Sequence, residues 1–201
     1  MTKAATVVLG IIGVLIGCSM LFGMCVMASY NGAIRARNDV DAQWGNVESV
    51  MQRRADLVPN LVEVVKGSAA FEKSTLEAVI QARAAATQVK LTSDDLSNPE
   101  KMKQLQAAQG QLSSALSRLL VTVEKYPDLQ ASHAFRDLQS QLEGTENRIA
   151  EERHRYNAAV LRLNNRVEQF PDSIGAGMAG VHRREPFRAE QDASTPPKVK
   201  F

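Results

Sequence analysis

Residues 135–170, FRDLQSQLEGTENRIAEERHRYNAAVLRLNNRVEQF, decide the fold. Their apolar side chains fall at Phe135, Leu138, Leu142, Ile149, Tyr156, Val160, Leu163, Val167 and Phe170, at spacings of three, four and seven. That rhythm lays a narrow apolar stripe along one side of a helix, and such a stripe is buried against other helices. Thr145 and Glu152 hold the two stripe positions that are not apolar.

The same rhythm appears on either side of two breaks upstream. Leu105, Leu112, Leu116, Leu119, Val123 and Tyr126 form a second series, opened by Asn98-Pro99-Glu100 and closed by Tyr126-Pro127-Asp128. Asn is a good helix cap, Pro at the first helical position loses no bond, and an acid suits the positive end of the helix. Val40, Trp44, Val47, Met51 and Val58 form a third series. Residues 61–89 are helical in character, with Ala82, Ala84, Ala85 and Ala86 around Arg83 permitting close helix approach. Residues 90–98 are polar and read as a loop. Pro59 removes the helical bond to Ala55, so a kink or a reversal is expected there, with Gly67-Ser68 as a second candidate turn. The fold class is therefore all-α: an N-terminal transmembrane helix followed by an elongated antiparallel three- to four-helix bundle of coiled-coil character.

From Ala4 to Ile34 there is no charged residue. The apolar part, residues 5–28, would rise about 36 Å as a helix, enough to cross a hydrocarbon core about 30 Å thick. Two other readings share this segment: a signal peptide cleaved after Val26-Met27-Ala28, and a lipoprotein with Leu15-Ile16-Gly17-Cys18 as its lipobox. The apolar run is longer than a signal core and stays apolar beyond Cys18, so a retained single-pass anchor is expected. Gly13 and Gly17 have the spacing of a close-packing membrane face. Lys3 with the terminal amine on one side balances Arg35 and Arg37 on the other, so the count of flanking basic residues does not choose an orientation. The expected domains are 1–29, the anchor; 30–171, the bundle; and 172–201, an irregular tail containing Gly and Pro.

Composition supports this organisation and narrows the function. Only 5% of the 201 residues are aromatic, and the formal charge of +2 is too small and too interspersed for a nucleic-acid groove. Cys18 and Cys25 stand about two helical turns apart, too far for a mutual disulfide. Of three histidines, only His154 has ligand-spaced company, Glu151 at i−3. The di-iron architecture that uses this pair needs a second copy of it, and none exists. No phosphate loop or nucleophile elbow is present, so neither catalytic residues nor a cofactor are expected.

A family resemblance is carried by Tyr30-Asn31, Arg53-Arg54-x-Asp56-Leu57-Val58-Pro59-Asn60-Leu61-Val62, Val65-Lys66-Gly67, Ala82-Arg83 and Glu124-x-Tyr126-Pro127-Asp128-Leu129. It continues through residues 142–150 (LEGTENRIA), Arg153-x-x-Tyr156-Asn157, Phe170-Pro171 and Pro197-Lys198-Val199-Lys200-Phe201. In these stretches the chain resembles the LemA family of bacterial membrane proteins. It departs from the family pattern at Leu163-Asn164, where a second Tyr-Asn is usual, and in its Gly-rich segment after Pro171. The resemblance implies a membrane anchor, a helical bundle and no assigned enzymatic activity. One branch, similar to the magnetosome protein MamQ, is linked to building magnetosome membranes, and other members are encoded beside membrane proteases.

The leading expectation is a non-enzymatic scaffold or adaptor at the cell (inner) membrane. It would contact lipid through residues 5–28 and a protein partner, or itself, through the bundle. A self-assembling protein that organises membrane is the rival, and a metal-binding bundle using Glu151 and His154 is the third reading. Seven residues stand out as candidates for interaction or for fixing helix register: Arg53, Arg54, Asp56, Pro59, Glu143, Glu146 and Arg148. Arg54 with Glu146 is the trial pair; solvated helix faces are the alternative.

Overall fold

The structure is a computed structural model that describes residues 3–67 and 71–188, with side chains from residue 9 onward in the first stretch. Among these residues there is no strand. Six α-helices follow one another: α1 (Lys3–Lys66), α2 (Lys73–Gln88), α3 (Pro99–Val123), α4 (Pro127–Ala131), α5 (His133–Glu168) and α6 (Asp172–Met178), with a 3-10 turn at Asp94–Ser97.

The chain divides into two compact units, the first Met1–Ala42 with Ala159–Arg184, the second Gln43–Ala158 with Glu185–Phe201. Both α1 and α5 contribute to each.

In the first unit, large apolar side chains of α1 from Leu9 to Met27 are exposed, and burial begins at Ser29 and Ala33. Here α1 is long and apolar enough to cross a membrane. Beyond it α1 runs antiparallel to the end of α5. Arg162 Nη2 donates to Asp39 Oδ2 at 2.7 Å. Farther along α5, Arg166 faces Gly32, where an added Cβ would lie 2.5 Å from its guanidinium.

In the second unit, a core built from α1 (Val58, Leu61, Val65), α2 (Leu76, Val79, Ala86), α3 (Leu112, Leu116, Leu119, Val123), α4 (Leu129) and α5 (Phe135, Leu142) is continuous. Trp44 of α1 stacks edge-on to Tyr156 of α5 at 5.7 Å between ring centroids. Ten residues along α1 and ten back along α5, Arg54 meets Glu146. Equal advance in opposite directions defines an antiparallel pair held in one register.

The helix starts follow the expected chemistry. The Asn98 side chain accepts from the backbone N–H of Glu100 at 3.0 Å and of Lys101 at 3.3 Å, with Pro99 as first residue of α3. The predicted loop 90–98 contains the 3-10 turn, fixed by Asp95, whose carboxylate accepts from the Thr92 backbone N–H (2.9 Å) and hydroxyl (2.8 Å) and pairs with Lys101. These partners, Lys101 first, lower the Asp95 pKa from 3.8 to about 2.

One open choice is settled and two sequence expectations need correction. First, the chain does not reverse at Pro59. Helix α1 continues to Lys66 and stops at Gly67. Pro59 is exposed, and the Ala55 carbonyl it leaves without a helical donor accepts from Arg83 Nε at 2.7 Å.

Second, residues from 172 onward are not irregular throughout. They open with α6, and Val181, Arg184 and Phe187 beyond it are buried. Gly175 serves packing here, since a Cβ on it would lie 2.6 Å from Ser29 Cβ, and Gly180 takes φ +63° just after α6. Residues 189–201, with the closing Pro197-Lys198-Val199-Lys200-Phe201, lie outside the described residues.

Third, Phe170 does not complete the α5 stripe. The helix ends at Glu168, and the ring is 78% exposed.

Candidate functional site: a buried arginine in the bundle

Arg54 sits in the third apolar series, between Met51 and Val58, and is only 2% exposed. A guanidinium carries five N–H donors and no acceptor, so burying it requires acceptors from several directions. Three neighbours supply them, from two other helices. Nη1 donates to Glu146 Oε1 of α5 at 2.5 Å and to Ser113 Oγ of α3 at 2.8 Å, and Nη2 donates to Gln109 Oε1 of α3. The Gln109 amide in turn donates to the Ala86 carbonyl of α2 at 3.4 Å. One side chain thus links α1, α3 and α5, and through Gln109 reaches α2.

The charge balance is asymmetric. Arg54 is buried, whereas the Glu146 side chain is 42% exposed. Glu146 can be solvated without its partner; Arg54 cannot. The pair is therefore best understood as a buried cation whose counter-ion reaches in from the surface.

Among the seven candidates, only Arg54 and Glu146 come together. Arg53 and Arg148 are exposed. Asp56 is exposed and accepts from Gln52 Nε2 at 2.8 Å; Glu143 is exposed and accepts from Gln139 Nε2 at 3.0 Å. Pro59 acts through Ala55 and Arg83. The two polar stripe positions differ. Thr145 is buried and returns its hydroxyl to the Gln141 carbonyl at 2.7 Å, and Glu152 pairs with Arg155. His154 is exposed, and no group of three His, Cys, Asp or Glu that could hold a metal occurs among the described residues.

Sequence reading missed Gln109, Ser113 and Arg83. Gln109 did leave a trace: it lies in the gap between Leu105 and Leu112, where the rhythm calls for an apolar residue. It also missed a clasp built from two asparagines seven residues apart on α5. In the second unit, Asn157 Nδ2 donates to the Phe187 carbonyl (3.0 Å) and its Oδ1 accepts from the Phe187 N–H (2.8 Å). In the first, Asn164 makes the same two bonds to Arg184, both at 3.0 Å. Each amide side chain imitates a strand pairing. Phe187 then completes an aromatic cluster with Trp44 and Tyr156, and the Arg153 guanidinium lies 4.6 Å from its centroid.

The second unit also carries a groove of about 530 Å³, lined by α3 (Met102, Lys103, Gln106), by Arg153 of α5 and by Glu185 and Arg188. Its walls carry charges of both signs.

These features define a class: an all-helical protein with a buried polar contact in its bundle and a first helix long and apolar enough to cross a membrane. The chain belongs to the LemA family, whose family model matches residues 43–201. It is similar to magnetosome protein MamQ 2 of Paramagnetospirillum magneticum, 28% identical over 187 residues covering 85% of this chain and 69% of the relative. Magnetosome protein MamQ of Magnetospirillum gryphiswaldense is 27% identical with the same coverage. Protein LemA of Metamycoplasma hominis is 21% identical over 171 residues, 85% of this chain and 74% of the relative. None of these names is that of an enzyme.

Proposed function

We propose that the protein is a non-enzymatic scaffold, held in the cell (inner) membrane as a single pass by the apolar part of α1, whose bundle offers a fixed surface to a partner protein. One observation carries this reading: Arg54, the most deeply buried charged side chain described, makes its side-chain bonds to other helices, to Ser113 and Gln109 of α3 and Glu146 of α5. Its effect is to hold α1, α3 and α5 in one arrangement. A surface presented to a partner has to be kept in such an arrangement, because a rigid surface loses less entropy on binding.

The test places a photo-cross-linking residue at Ile80 of α2 or Val121 of α3, both apolar and exposed, in the full chain in its own membranes. The scaffold reading expects one recurrent distinct protein to be captured at one of these faces. A second reading is favoured by the two relatives named as magnetosome proteins: self-assembly that organises membrane. It expects chiefly a second copy of this chain. Capture of neither would contradict both.

A further inference from the structure

The first unit carries an apolar face for which the bundle has no use. Ile174 and Met178, four apart, share one side of α6, and Phe170 is exposed in the turn before it. Phe170, Ile174 and Met178 are 78%, 36% and 67% exposed. The opposite side of α6 is buried: Gly175 lies against the backbone of Ser29 and Tyr30 so closely that no side chain fits there. A polar clamp holds the start of this helix. Ser29 Oγ donates to Asp172 Oδ1 at 2.9 Å, and Arg166 Nη1 donates to Asp172 Oδ2 at 3.0 Å.

The position of this clamp is the informative part. Ser29 directly follows the uncharged, exposed apolar run of α1. The Ser29–Asp172 bond and the close contact of Gly175 with Ser29 and Tyr30 place α6 directly beside the end of that run. The exposed apolar side chains of α1, which run to Met27, and those of α6 therefore lie on either side of the Ser29 contact.

We propose that Phe170, Ile174 and Met178 form a lipid-contacting foot, seated in the interfacial layer of the membrane that α1 crosses. This rests on the single-pass reading of α1. A lipid surface is the occupant chosen because the neighbouring α1 side chains already require one, and an interfacial helix buries such a face about 5–10 Å into the headgroup boundary. Basic residues of the same unit fit this placement. Arg35 is exposed, and Arg183, paired with Glu168, keeps most of its side chain in solvent, so both can reach toward lipid headgroups.

The test uses the full chain with Cys18 and Cys25 replaced by Ala, in vesicles of phosphatidylcholine and phosphatidylglycerol. Single cysteines at Phe170→Cys and Met178→Cys carry an environment-sensitive fluorophore, and a lipid spin-labelled near the top of its acyl chain serves as quencher. Met24→Cys reports on the anchor, and Leu161→Cys, exposed on α5, on solvent. The foot sites should be quenched comparably to Met24 and about threefold more than Leu161. Quenching no stronger than at Leu161, with Met24 strongly quenched, overturns the foot and leaves the anchor standing. An unquenched Met24 overturns the anchor and the foot with it. Foot sites shielded from both lipid quencher and aqueous iodide would show a protein or a second copy on this face, which also overturns the proposal.

Discussion

The Arg83 Nε–H donates to the Ala55 carbonyl at 2.7 Å, the group that Pro59, four residues on, cannot bond. A proline inside a helix leaves such a carbonyl without its donor and strains the turn, at about 3 kcal/mol. Here a second helix supplies the donor, and α1 continues through. Replacing Arg83 by Ala should destabilise the bundle by about 1–3 kcal/mol, the range for an orphaned buried acceptor. In a Pro59→Ala background the same change should do less, because the backbone N–H restored by that substitution would itself donate to the Ala55 carbonyl. Additive effects in a double-mutant cycle of chemical unfolding would refute the link.

Leu142 and Leu163 are 3% and 0% exposed, and His154 is exposed. Leu142→Ala or Leu163→Ala should lower stability by roughly 2–5 kcal/mol, and His154→Ala by less than about 0.5 kcal/mol. Denaturant titration of the detergent-solubilised protein, followed by helical circular dichroism, gives the order. Equal losses at Leu163 and His154 would mean that the buried face of α5 has been misassigned.

The α5 stripe was legible because burial follows period: Leu142, Ile149, Tyr156, Val160 and Leu163 are buried, and Leu138 and Val167 partly so. Phe170 was misread because period continues in a sequence past the residue where the helix ends. At Pro59 the sequence left a kink and a reversal open for a different reason. The proline's local penalty is visible in sequence, but the compensating donor, Arg83, lies 28 positions from the carbonyl it serves. Arg54 and Glu146 could be singled out as charges beside apolar stripes; Ser113 and Gln109 could not be assigned to them, since nothing local links residues 59 and 55 positions apart. Asn157 and Asn164 stand one heptad apart, but their partners, Phe187 and Arg184, lie in a non-helical segment that carries no periodic signal.

Those clasps make a specific prediction. Asn157→Ala should free the Phe187 N–H and carbonyl, and Asn164→Ala those of Arg184, each at about 1–3 kcal/mol. Hydrogen exchange at the Phe187 or Arg184 amide should rise more than in the core of α5. Asn157→Asp keeps the acceptor but sets oxygen against the Phe187 carbonyl, so it should be no better than Ala. Full rescue by Asp would contradict the paired geometry.

Asp95 provides a pH test. Its pKa is depressed in the folded protein, so its contribution is present above the ordinary value of 3.8 and is lost as pH falls toward about 2. Wild type should be more stable than Asp95→Asn at neutral pH, and the difference should shrink between pH 4 and 2. A gap that is unchanged across this window would show that Asp95 does not act as a carboxylate on Lys101 and Thr92.

The central claim is that Arg54 works inside the bundle, as the contact that sets its register, and does not serve as part of the partner's binding surface. A double-mutant cycle between Arg54→Ala and Glu146→Ala, read by unfolding of the full chain, tests it most directly. Removing Glu146 leaves a buried cation without its counter-ion and should cost about 2–3 kcal/mol, below the range for a fully buried pair because Ser113 and Gln109 still accept from Arg54; once Arg54 is gone, losing Glu146, 42% exposed, should cost little. The predicted result is a coupling energy of about 1.5–3 kcal/mol. Additivity to within about 0.5 kcal/mol, with both single variants stable but unable to capture the partner, would contradict the account and make these residues a binding surface.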